Sequence, residues 1–112
     1  MANEIGDARI RLPEQIRKGE VITVHAIVSH PMDTGFFRTR EGDAIPAYFI
    51  KDVTVTYAGQ QVAHFMWTSG ISRDPVVTFT LTADREGPLT IRWVDNKGAA
   101  FEQTAQIAFS TT

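Results

Sequence analysis

Val21-Ile22-Thr23-Val24-His25-Ala26-Ile27-Val28-Ser29-His30 is the run on which the fold turns. Ile22, Val24, Ala26 and Val28 fall on one side of an extended chain, and Thr23, His25, Ile27 and Ser29 on the other. A period of two predicts a strand with one face in a core. Val53-Thr54-Val55-Thr56-Tyr57 and Val77-Thr78-Phe79-Thr80-Leu81-Thr82 repeat the pattern, with threonine on the solvent side. Further strands are expected over residues 8–12, 61–66, 89–94 and 101–109, with hairpin turns at Ala58-Gly59 and Asp95-Asn96-Lys97-Gly98. Composition agrees: 10 Ile, 9 Val and 13 Thr stand against 3 Leu, a bias toward side chains that pack on a pleated surface and away from helix formers. The reading is all-β, about seven strands in an antiparallel two-sheet sandwich. Trp93 shares a face with Leu89 and Ile91 and is assigned to the core.

The chain has 112 residues, read as a single domain over 1–112, and 11 basic against 13 acidic side chains leave a net charge of −2. With 43% hydrophobic and 21% charged residues it has the means to fold without metal or crosslinks, and disorder is not expected. The absence of cysteine excludes disulfides, thiolate metal sites and cysteine nucleophiles from this chain. The balance of charge lacks the basic excess that nucleic acid demands. No apolar run approaches the roughly 18 residues that span a bilayer, so no membrane segment is expected. Met1-Ala2-Asn3-Glu4-Ile5-Gly6-Asp7 has neither the basic start nor the apolar run of a secretory signal.

Residues 31–47 break the alternation and carry Pro31, Gly35, Gly42 and Pro46. Connections this long are uncommon in compact domains and are often functional. Met32, Phe36, Phe37, Arg38 and Arg40 are not the content of a solvated linker. Two adjacent phenylalanines left in water forfeit about 2 kcal/mol each, so they pack either on the domain or on a partner.

Chemistry-bearing constellations are sparse. His30-Pro31-Met32 and His64-Phe65-Met66 each pair an imidazole with a thioether, a combination suited to copper(I), and the four residues His30, Met32, His64 and Met66 form an alternative copper set. Ser29 or Ser72 with a histidine and Asp33 has the composition of a hydrolase triad, but no nucleophile elbow accompanies it, and Ser29 and His30 point to opposite faces. Asp84 and Glu86 sit in a turn, Asp95 and Asn96 read as hairpin residues, and no glycine-rich phosphate cradle is present. No catalytic set and no cofactor is expected, which leaves a binding module.

Several runs resemble one known family along nearly the whole chain. Ala8-Arg9-Ile10-Arg11-Leu12-Pro13, Lys18-Gly19-Glu20-Val21-Ile22, Ser29-His30-Pro31-Met32-Asp33-Thr34-Gly35, Ile45-Pro46, Thr56-Tyr57-Ala58-Gly59-Gln60-Gln61-Val62 and Trp93-Val94-Asp95-Asn96-Lys97-Gly98 are similar to SoxZ proteins. Ser29 to Gly35 is the most specific of them. The resemblance implies an immunoglobulin-like sandwich that is not an enzyme and forms a heterodimer with SoxY, whose C-terminal cysteine carries sulfur intermediates of thiosulfate oxidation. It also implies transient contact with other Sox enzymes, and a periplasmic address reached by export with a signal-bearing SoxY. The expected contact loop is His30, Pro31, Met32, Asp33, Thr34, Gly35, Phe36, Phe37 and Arg38. Two departures stand out: Ile71-Ser72-Arg73-Asp74-Pro75 keeps only the serine and proline of the family's Ser-Ala-Asn-Pro, and Phe36-Phe37-Arg38 replaces more polar residues.

Overall fold

The computed structural model describes residues 5–36, 38–71 and 74–110. Seven antiparallel strands form two sheets: β1 (Ala8–Arg11), β2 (Glu20–Val28) and β5 (Val76–Ala83) in the order β1-β2-β5, and β3 (Ile50–Tyr57), β4 (Gln60–Met66), β6 (Gly87–Asp95) and β7 (Ala100–Ile107) in the order β4-β3-β6-β7. This is the immunoglobulin-like sandwich expected from the sequence, with no helix among the described residues.

Alternation decides which side of each strand is dry. Ile22, Val24, Ala26 and Val28 of β2 face Val53, Val55 and Tyr57 of β3 and Leu89, Ile91 and Trp93 of β6 across the interior, and all ten are buried. The threonines of β5 alternate outward, as the pattern requires.

Turn chemistry closes β3 onto β4. Ala58 and Gly59 both have positive φ, at 49° and 83°, the mirror-image turn that matches strand twist in a two-residue hairpin. Alanine rarely adopts that conformation, and its amide is held by the carbonyl of Pro88 at 2.8 Å. The Tyr57 hydroxyl accepts from the Arg85 amide at 3.0 Å and donates to the Arg85 carbonyl, tying this end of β3 to the β5–β6 crossover.

Strand ends differ from the sequence reading by one to three residues, and at β2 and β3 the reason is visible. β2 stops at Val28 because its pairing ends within one residue: the Ser29 amide still reaches the Asp7 carbonyl just before β1 at 2.8 Å, but that of His30 leaves the ladder for the Asp74 carboxylate at 2.9 Å. Pro31 then supplies no amide at all. β3 starts at Ile50, three residues before the alternation becomes visible, because a register shift between Ile50 and Asp52 hides its first turn of pairing.

Candidate functional site

Strand direction gathers the functional candidates at one end. β2, β4 and β6 finish there and β1, β3, β5 and β7 begin there, so residues 29–49, the β4–β5 connection and the β6–β7 hairpin share that end.

The long connection is an arm rather than an open loop. Asp33 and Tyr48 pair backbone to backbone at 2.9 and 3.1 Å, and a second bridge joins Arg38 to Ala44. A turn closes the tip, with the Thr39 amide donating to Asp43 O at 2.8 Å and the Gly42 amide to Thr39 O at 3.0 Å. The described residues from Phe36 to Asp43 are exposed. The molecule measures 61 × 29 × 19 Å. A nine-residue strand spans only about 30 Å, so the segments beyond the strand ends supply the rest of its length.

The root of the arm is clamped by the β6–β7 hairpin. Asp95, fully buried, accepts from His30 Nε2 at 3.0 Å and, through its other oxygen, from the amides of Lys97 and Ala99 at 2.9 Å each. His30 donates from Nδ1 to the Pro31 carbonyl at 2.6 Å. Both ring nitrogens therefore face oxygen atoms, one of the Pro31 carbonyl and one of the Asp95 carboxylate. The Tyr48 ring meets the His30 ring edge-on at 4.5 Å. Lys97 Nζ lies 3.8 Å from the centre of the Tyr48 ring. Asn96 completes the clamp: its side chain accepts from the Phe49 amide and donates to the Ala47 carbonyl, both at 2.9 Å. Met32 is buried beneath, its sulfur accepting from the Ile50 amide at 3.4 Å.

Burial alone would raise the Asp95 carboxyl, but the His30 contact and the Ala99 and Lys97 amides outweigh it and hold the carboxyl below the ordinary carboxylate value. Burial, and then the Asp95 charge, push the Tyr48 hydroxyl upward. The sign for Asp95 is that of a depressed carboxyl. Its stabilisation is complete above the unfolded value of about 4 and is lost as pH falls through the folded one. Acid titration followed by amide exchange should thus release residues 33 and 48 only below about pH 4. Release between pH 5 and 7 would count against the clamp.

The run expected to form a contact loop is divided by the fold. His30, at 1% exposure, and Met32 are buried and hold the root. Asp33 carries the first bridge, Thr34 Oγ1 accepts from the Phe36 amide at 3.0 Å, and Arg38 donates back to the Gly42 carbonyl at 3.1 Å. Phe36 is 89% exposed, which removes self-packing for this ring. Phe37 and Ser72 lie outside the described residues. The copper set does not converge: His30 and Met32 are inside with their donor atoms engaged, whereas His64 and Met66 lie on the outward face of β4, His64 bonded to Asp52 at 3.0 Å. Among the described residues no three or more His, Asp or Glu side chains group to hold a metal.

Sequence reasoning missed Tyr48 and took Asp95 for an ordinary hairpin residue. The available signal was that Asp95-Asn96-Lys97-Gly98 offers a carboxylate at a turn while His30 needs an acceptor, but 65 positions separate the two.

The profile described as "Sulphur oxidation protein SoxZ" matches residues 10–106. The chain belongs to the SoxZ family. As a SoxZ-family chain it is a subunit of Sox sulfur oxidation, and two of the runs that carry the resemblance, Ser29 to Gly35 and Trp93 to Gly98, meet at the clamp. No curated protein sequence is a significant match. Among solved structures, a point variant of the superoxide reductase (neelaredoxin) from Ignicoccus hospitalis superposes with a TM-score of 0.71 at 19% identity, covering 96% of this chain and 82% of that one. A putative superoxide reductase from Thermotoga maritima gives 0.69 at 18%, over 92% and 85%. The sulfur carrier protein SoxY from Chlorobium limicola f thiosulfatophilum gives 0.62 at 15%, over 88% and 71%. At such identities the likeness is one of fold, so SoxZ and SoxY chains share a sandwich.

Proposed function

We propose that this SoxZ-family chain is the non-enzymatic half of a two-protein sulfur carrier, and that its arm seats a SoxY-like partner. The partner's C-terminal cysteine carries the covalently bound sulfur intermediate, and the pair is presented in turn to the other Sox enzymes. Cysteine is absent from this chain, so its contribution is a surface and not a thiol. The chain reaches the periplasm with its signal-bearing partner.

The observation that carries the reading is Phe36. A phenylalanine 89% exposed on a projecting arm with a buried, hydrogen-bonded root has the form of an interface anchor. Ile5, Met66 (80% exposed) and Ile71 add apolar surface at the same end of the sandwich. Purified together with a SoxY-like protein, the Phe36→Ala variant should bind about 30-fold more weakly, a loss of about 2 kcal/mol, with its thermal midpoint unchanged. Affinity equal to that of the unsubstituted pair would remove the arm from the interface.

A further inference from the structure

A second surface lies away from the arm, on the outer face of the three-stranded sheet. β1 turns Arg9 and Arg11 to the same outward side, two residues and thus about 7 Å apart. Register places Arg9 beside Ile27 and Ile27 beside Val76, while Arg11 lies beside His25 and His25 beside Thr78. Two arginines therefore border a row of exposed aliphatic residues, Ile27 at 40% and Val76 at 57%, around a groove of about 650 Å³.

Neither guanidinium has an acceptor among the described residues. His25 bonds Thr78 Oγ1 through Nδ1 at 3.2 Å, and its other nitrogen has no partner there. The strands of this sheet contain one carboxylate, Glu20, at the far end opposite Ala83. The strands of the other sheet carry Lys51 and Arg92 against Asp52, Asp95 and Glu102, so the positive charge of this face is local, in a chain of net charge −2.

We propose that this face docks an acidic segment of a partner protein, one that carries aliphatic side chains among its carboxylates. Unpaired arginines beside exposed aliphatics match that chemistry on both counts: the guanidiniums offer forked donors to carboxylates, and the aliphatic row offers area that a purely polar anion leaves wet. A polyanion such as nucleic acid fits less well, because the rest of the chain repels it.

The test uses the intact chain and a fluorescein-labelled Gly-Glu-Val-Glu-Ile-Asp-Gly peptide. Saturable binding is expected, with amide shifts confined to residues 9–11, 25–28 and 76–78. The Arg9→Glu, Arg11→Glu double variant should bind about tenfold more weakly at an unchanged melting temperature, and raising salt from about 50 to about 300 mM should weaken the unsubstituted protein as well. Replacing Val and Ile of the peptide by Ser should also weaken it. Absence of saturable binding, shifts located elsewhere, or tighter binding of oligo(dT) or of phosphatidylglycerol vesicles than of the peptide would overturn the proposal. Phe36→Ala should leave peptide binding intact, so this result is independent of the arm's role.

Discussion

Replacing Asp95 by alanine should lower the unfolding free energy by about 3–5 kcal/mol and the melting temperature by about 10–20 °C. Three groups lose their acceptor at once: the buried His30 ring and the amides of Lys97 and Ala99. The larger part of the cost comes from His30, a ring at 1% exposure that is left with an uncompensated N–H in a dry site. Asp95→Asn retains an acceptor for the amides and loses the charge, so its cost should be intermediate. A double-mutant cycle separates the pair from its surroundings: His30→Ala and Asp95→Ala should couple by at least about 1.5 kcal/mol. Additive effects would show that the two side chains stabilise the protein independently and that the clamp is not a unit. Because Asp95 fixes the hairpin whose Asn96 and Lys97 hold residues 47–49, the Asp95→Ala variant should also exchange the amides of residues 33 and 48 faster than those of β2, with partner affinity falling even though Phe36 is untouched.

Trp93 gives the second large effect. It is fully buried between Val53 of β3 and Phe101 of β7, and its indole nitrogen is buried with no hydrogen-bond partner among the described residues. Trp93→Ala should cost about 3–5 kcal/mol through lost burial and a cavity in the four-stranded sheet. Trp93→Phe removes the orphaned donor, worth about 1–3 kcal/mol, at the same time as it removes part of the ring, so the two terms offset and the cost should stay below half that of alanine. Urea melts with an unchanged slope would read both values. A phenylalanine variant as unstable as the alanine one would mean that the indole volume alone matters.

How much of this was legible in the chain follows from the range of the interactions. β2 and β5 were readable because their burial alternates residue by residue, and the Ala58-Gly59 hairpin because positive φ has a local cause. The candidate site was only half readable. Phe36 and the long connection announced themselves by composition, but the roles of His30 and Met32 depend on Asp95 and Ile50, partners 65 and 18 positions away. Nothing local distinguishes a histidine that lines a surface from one that ends in the interior, so the sequence points to a contact loop of nine residues where the fold buries two of them. Tyr48 escaped notice because its place depends on the His30 ring and on Lys97, 18 and 49 positions away.

The arm has a foot in each sheet. It leaves the three-stranded sheet after β2 and enters the four-stranded sheet at β3, and the hairpin that clamps it belongs to the second sheet alone. Mechanically it is a bracket across the gap between the two layers, at the same end as the β4–β5 connection that also crosses it. On the proposed reading, a partner that gripped the bracket would load both layers together and resist their sliding past each other.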